Sequence, residues 1–201
     1  MTEVIVELGR RERNKQAKRD RITAAAAELF AVHGVDDVTT QQIADRADVG
    51  TGTLFLYAKS KGELLLLVQN AHYADALEEG RAAASDTPDT LEALLAIVRP
   101  IVACNRVQID NGRTYLREIA FGDADEPHHR EALSIVARTE ELLSATLLRD
   151  ENVASGEAPV LAHIISAIVF LSMASAPNPQ TPVDDVMAEI ARQLTTLLAR
   201  P

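Results

Sequence analysis

Apolar residues recur at steps of three and four along most of this 201-residue chain, and no stretch alternates with a period of two. That pattern predicts helices and no sheet. The first clear helix runs from Ile22 to His33 on Ile22, Ala26, Leu29, Phe30 and Val32, and Gly34 supplies the left-handed residue that ends it. Val35 and Val38 then cover a core. Thr39 and Thr40 are N-cap candidates for a short helix that places Ile43, Ala44 and Ala47 on one face. Asp48-Val49-Gly50 breaks that helix. A second short one follows, with Leu54 buried at the junction and Phe55 packed in the core. Ser60-Lys61-Gly62-Glu63 has capping-box spacing, so a linking helix starts there and continues from Leu64 to Ala84.

Farther along, Thr87-Pro88 offers an N-cap with proline at the first helical position, opening a helix through Leu91, Leu94, Leu95, Val98 and Val102 that Pro100 should kink. Helical material runs from Gly112 to Phe121, and an acidic loop covers Gly122 to Glu126. Pro127 opens a helix through Leu133, Val136, Leu143 and Leu147, with Gly156 as its far limit. Pro159 to Ala176 is almost wholly apolar. It is short for a membrane span and carries His163 near its middle, so it should be covered by its own fold on one side and a partner on the other. Val183 to Ala199 adds a stripe of Val183, Val186, Met187, Ile190, Leu194, Leu197 and Leu198. Two such helices from each of two chains would form a four-helix interface on a two-fold axis. The expectation is an all-α protein of about nine helices.

Residues 39–57, two short helices across a tight turn, have the geometry of a helix-turn-helix. No strand-turn-strand signal accompanies it, since Asn111-Gly112 precedes a helical pattern, so a wing is not expected. Three groups of residues carry a family resemblance: Ala27-Glu28-Leu29-Phe30 with His33-Gly34; Val38-Thr39-Thr40 with Ile43-Ala44; and Val49-Gly50-Thr51-Gly52-Thr53-Leu54-Phe55-Leu56-Tyr57 running to Ser60-Lys61 and Leu64. In order and spacing the run from Lys18 to about Val68 resembles the DNA-binding domain of the tetracycline-repressor-like (TetR) family of bacterial transcriptional regulators. Ala58, where the family usually carries an aromatic residue, and Gly62, unhelpful in a first helical turn, depart from it.

The resemblance implies residues 1–64 as an N-terminal arm and three-helix DNA-binding domain, and residues 65–201 as a helical ligand-binding and dimerisation domain. It also orders the DNA contacts. Thr40 suits a phosphate, and Gln41 a phosphate or base edge. Thr51 and Thr53, with the Gly50 and Gly52 backbone, would enter the major groove, the glycines allowing close approach and the methyls packing on thymine. Leu56 offers only apolar contact, Tyr57 a hydroxyl for phosphate, and Lys61 a point charge. Few of these side chains make bidentate base contacts, so DNA shape should share in specificity. A dimer would read two half-sites of a pseudo-palindromic operator.

A small-molecule effector site in the C-terminal part is likewise implied by the resemblance. Its candidates are His72, Tyr73, Asn105, Arg106, Tyr115, Arg117 and Glu118, with Cys104, Phe121, Phe170 and Met173 as apolar lining. Each competes with a plainer role in the core or on a solvated face. Only seven aromatics occur in the chain, which argues against a cage for stacking cationic drugs and favours an aliphatic or amphipathic ligand.

Charge sharpens the division. Through Lys61 there are ten basic and nine acidic residues, and after it ten basic against twenty-one acidic. A near-neutral head on an acidic body orients a molecule on a polyanion. Arg10, Arg11, Arg13, Lys15, Lys18, Arg19 and Arg21 cluster before the first helix, either as a solvated terminus or as an arm on DNA. Cys104 is the single cysteine, and the N-terminus lacks the apolar core of a signal peptide, so the expected compartment is the reducing cytoplasm.

Enzyme chemistry finds little support. There is no Gly-rich phosphate loop, nucleophile elbow or His-Glu-x-x-His, so no catalytic residue and no cofactor is assigned. Asp123, Asp125, Glu126, His128 and His129 could hold a metal, but adjacent histidines at a helix start point apart, and a solvated loop is expected. The rival reading is a helical dimeric interaction or small-molecule-binding protein without sequence-specific DNA binding.

Overall fold

The computed structural model describes residues 9–174 and 181–199, and among these the regular structure is helical throughout. The helices are α1 (Arg10–His33), α2 (Thr40–Arg46), α3 (Thr51–Leu54), α4 (Lys61–Ser85), α5 (Thr90–Arg106), α6 (Ile109–Phe121), α7 (Pro127–Leu147), α8 (Ala158–Ala174) and α9 (Val183–Leu198). Residues 175–180, which include the expected end of the apolar segment at Ala176, lie outside the described residues.

Several boundaries differ from the pattern-based expectation for identifiable reasons. α1 begins at Arg10, twelve positions before the apolar stripe does, so the whole basic cluster is helical and exposed rather than an irregular arm. Asp89, not Thr87, caps α5 by accepting from the Glu92 N–H at 2.9 Å, while the Thr87 hydroxyl donates back to the Ala83 carbonyl. α5 runs through Pro100 to Arg106 without ending. α6 starts three residues early because the Gln108 side chain accepts from Asn111 N–H. α7 ends at Leu147, well before Gly156.

Two apolar clusters hold the molecule. The first gathers Ile22, Ala26 and Phe30 of α1, Val35 and Val38, Ile43 and Ala44 of α2, and Leu54 of α3 around Leu64, Leu65 and Leu66 of α4. It extends to Tyr73 of α4, Tyr115 of α6 and Ile135 of α7. The second packs Leu77 of α4, Leu94, Ile97 and Val98 of α5, Leu143 and Leu147 of α7, Leu161 and Ile165 of α8, and Val186, Ile190 and Leu194 of α9. Each fully buried leucine or isoleucine contributes about 1.5–3 kcal/mol. α4 serves both clusters, so the head and the body share one rigid rod. The α4–α5 crossing is tight, because a Cβ on Gly80 would meet the Ile97 backbone.

The α9 stripe is largely spent within its own chain, with Val186, Met187, Ile190 and Leu194 buried. α8 differs: Leu161, Ile165 and Val169 face inward, whereas Val160, Ile164 and Leu171 remain exposed at 60%, 38% and 63%. Phe55, expected in the core, is 44% exposed, and Val32 of α1 is exposed as well.

Candidate nucleic-acid interface and ligand cavity

The turn between α2 and α3 is built by short-range hydrogen bonds. Thr39 and Gln42 form a reciprocal capping box at the start of α2, each side chain satisfying the other's N–H. Asp48 takes a positive φ of 52° in the turn, a conformation that aspartate tolerates better than most residues. Gly50 then caps α3 in an extended conformation. A Cβ at Gly50 or Gly52 would meet nothing within 4 Å, so no contact inside the chain requires glycine at either position.

The residues assigned to DNA are all solvent-accessible positions of α2, α3 and the segment leading into α4, the DNA rim of the proposed function. Gly50, Gly52 and Leu56 are exposed, Leu56 at 83%, and Thr40, Thr51, Thr53, Tyr57 and Lys61 are half-buried. Gln41 is exposed and donates its amide N–H to Asp45 at 2.7 Å. Two rim residues also brace the head. The Tyr57 hydroxyl donates to the Lys15 carbonyl of α1, and Lys61 Nζ donates to the carbonyls of Asp36 and Val38, all at 3.1 Å. At the other side of the head Arg46 pairs with Glu28 across the α1–α2 contact.

The structure separates the ligand candidates. Tyr73, Tyr115 and Phe170 line one cavity of about 300 Å³ enclosed by α4, α5, α6, α7 and α8, together with Met173, Val98, Leu116 and Leu143. The Tyr73 and Tyr115 rings stack with centroids 4.0 Å apart. Burial pushes both phenols above their ordinary value. Asn105 sits behind the wall, donating to the Tyr73 hydroxyl at 2.9 Å. His72 and Cys104 line a different, open groove between α4, α5 and α9, where burial pushes the Cys104 thiol up to about 11. Arg117 lies exposed beside Glu118, and Phe121 is 86% exposed; neither lines the cavity.

A set of contacts that the sequence did not signal joins this cavity to the head. Glu126, His128 and His129, expected in a solvated loop, are all buried. The His128 ring Nε2 lies 3.1 Å from the Tyr57 carbonyl, and Lys59 pairs with Glu126 at 2.5 Å. Asn70 of α4 donates to the His128 carbonyl and accepts from the Tyr115 hydroxyl at 3.1 Å. The Tyr115 ring is cavity wall and Tyr57 is rim, so three hydrogen bonds span the two sites. α6 makes a second connection: Asn111 accepts from Val35 N–H at 2.7 Å and donates to the Phe30 carbonyl at 2.9 Å. These asparagines and histidines carry no motif, and only their burial reveals them. Among the described residues no group of acidic, histidine or cysteine side chains is arranged to hold a metal, and no helix is long and apolar enough to cross a membrane.

The molecule is thus all-helical among the described residues, with a helix-turn-helix head on a body enclosing an apolar cavity, the architecture of a DNA-binding regulator. Residues 22–68 match the model of the bacterial regulatory proteins of the tetR family. The similarity to the tetR family is thus carried by the N-terminal DNA-binding domain. It is 27% identical over 158 residues to the HTH-type transcriptional regulator TcmR of Streptomyces glaucescens, an alignment covering 77% of this chain and 63% of that protein's length. Solved structures share its fold, two of them as follows. Thermus thermophilus FadR, a TetR-family transcriptional repressor in complex with lauroyl-CoA, superposes with a TM-score of 0.69 at 24% identity, over 91% of this chain and 96% of that one. A TetR transcriptional regulator from Rhodococcus sp. RHA1 gives a TM-score of 0.69 at 17% identity, over 93% and 98%.

Proposed function

We propose that this protein is a homodimeric transcriptional repressor that binds a pseudo-palindromic operator through α2, α3 and the turn to α4, and leaves it when a small molecule occupies the cavity. The observation that carries the reading is the hydrogen-bonded path from the Tyr115 wall through Asn70 and His128 to Tyr57. A ligand that displaces Tyr115 disturbs the partner of Asn70, and with it the seat of the head on α7. Release requires the ligand to bind the DNA-incompetent arrangement more tightly than the competent one. The lauroyl-CoA complex of the similarly folded Thermus thermophilus FadR supports a small-molecule effector.

Dimerisation supplies two heads, and the exposed apolar residues Val160, Ile164 and Leu171 mark α8 as the element that a second copy covers, beside α9. The near-neutral head and acidic body set the orientation on DNA. We place the protein in the cytoplasm, where it reaches DNA, and assign it no catalytic activity. The test is binding to its own upstream DNA against a scrambled duplex across a salt series. Sequence-selective binding that Lys61→Ala and Tyr57→Phe each weaken by about three- to tenfold is expected, the cost of one phosphate contact for Lys61 and, for Tyr57, of the hydroxyl that either braces α1 or turns to phosphate. Equal, salt-sensitive binding to both duplexes, unaffected by either substitution, would contradict the reading.

A further inference from the structure

The cavity's polar groups are few and one-sided. Tyr73, Val98, Ile101, Tyr115, Leu116 and Ile119, from α4, α5 and α6, present rings and alkyl groups. The tyrosine hydroxyls are turned to Asn70 and Asn105 and offer the interior mainly ring faces. All polar lining comes from α7 and α8: Thr139, Glu140, His163 and Ser166. Thr139 is already committed, its hydroxyl donating to the Ile135 carbonyl. Glu140 and His163 face each other at 2.9 Å, the carboxyl 29% and the imidazole 76% exposed, so this pair forms the wet end of an otherwise dry space.

The lining holds no lysine or arginine among the described residues, and its acidic member is Glu140. A carboxylate, phosphate or sulfate entering such a space would lose its hydration with only the His163 imidazole, already engaged by Glu140, as a positive partner, and would approach Glu140 as a like charge. The surrounding body, with its excess of acidic residues after Lys61, adds long-range repulsion. A hydroxyl or an ammonium meets the opposite situation. It donates a hydrogen bond to the Glu140 carboxylate, the ammonium with charge assistance, while its hydrocarbon body displaces water from the rings of Tyr73, Tyr115 and Phe170.

We infer that the effector is an amphiphile without negative charge: an aliphatic or alicyclic body that fills the cavity and ends in a hydrogen-bond donor directed at Glu140. This rests on the reading of the cavity as the effector site. Glu140 is then the residue that selects the head group, and His163 holds it in place and yields when the ligand's donor arrives.

Calorimetric titration of the full-length protein, below micellar concentrations, with decylamine, 1-decanol, decanoate and lauroyl-CoA tests it, since the first three share one chain and differ in head group. Decylamine and decanol are expected to bind, decanoate and lauroyl-CoA to bind at least about tenfold more weakly. Glu140→Gln should weaken decylamine about tenfold while changing decanol little, because a neutral acceptor remains but the charge is gone. Val136→Phe, which fills the cavity from a half-buried position, should abolish binding of both with the melting transition preserved. Decanoate or lauroyl-CoA binding as tightly as decylamine and blocked by Val136→Phe overturns the ligand class and leaves the cavity reading standing. A decylamine preference that survives Glu140→Gln overturns it too. No binding by any probe, or binding that Val136→Phe leaves untouched, overturns the class and the cavity reading together.

Discussion

Gly62 and Glu63 show how single positions at a helix start acquire meaning from elsewhere in the chain. A glycine in the first turn of α4 costs helix stability relative to alanine. In the fold the Glu118 carboxyl of α6 lies where a Gly62 Cβ would be, so a larger residue here requires that flexible side chain to move. Glu63, beside it, was expected to complete a capping box with Ser60. Only half of that box forms, with the Ser60 hydroxyl accepting from Glu63 N–H at 3.0 Å. The Glu63 carboxyl points instead to α7, where the backbone N–H groups of His128 and His129 reach it. Burial is the main influence on Glu63 and raises its pKa above the ordinary carboxylate value. A raised folded-state value means that the folded state holds the proton more tightly than the unfolded one, so the contribution to stability is present below the unfolded value and disappears as pH rises through the folded one. Glu63→Gln should therefore melt higher than the parent at pH 8, with the difference shrinking toward pH 4. Denaturation midpoints across that range check it, and a gap that widens toward acid would contradict the assignment.

Among the elements, α1 and α6 depart most from the apolar pattern, each for a reason outside its own stripe. The first three turns of α1 carry few apolar residues and are exposed, and the Tyr57 hydroxyl bonded to the Lys15 carbonyl ties them to the head. This sets Arg10, Arg11 and Arg13 on a helix extending from the DNA-binding head. Replacing all three by alanine should lower the slope of log affinity against log salt by about one for each phosphate that the arginines neutralise. An unchanged slope would remove this segment from the interface. α6 is fixed at its N-terminus by Asn111, which bonds backbone groups on both sides of the α1 terminus. Asn111→Ala leaves the Val35 N–H without this partner in a buried site, and urea unfolding should show a destabilisation of about 1–3 kcal/mol.

Across the whole molecule, the proposed function links a cavity and a DNA rim that share no residue. Asn70 stands between them, holding the Tyr115 hydroxyl on one side and the His128 carbonyl on the other. Asn70→Ala should cost about 1–3 kcal/mol of stability, because it removes both buried bonds. Its more telling effect is on coupling. Decylamine should weaken operator binding in the parent, and in the variant that linkage should fall by about 0.5–2 kcal/mol while both decylamine and operator still bind. Full retention of the linkage in a folded variant would place the connection elsewhere, with Asn111 the next candidate.

What can be read along the chain is what local physics dictates. The three- and four-residue spacing of apolar side chains specified the helices, Thr39 and Ser60 specified starts through their own hydroxyls, and the run from Ala27 to Leu64 carried the family resemblance. Those signals are legible because each depends on neighbours within about two helical turns. Packing in three dimensions settled which polar residues became buried connectors. Asn70, Asn111 and His128 find partners 45 to 81 residues away, and Glu126 and the two histidines look like any solvated acidic loop until α7 docks on the head. The cavity was partly legible: Tyr73, Tyr115 and Phe170 converge there, whereas Phe121 and Arg117 lie on a face of α6 that points away. A chemically plausible side chain reaches a cavity only when the helix carrying it is rotated to face inward, and packing against the other helices sets that rotation.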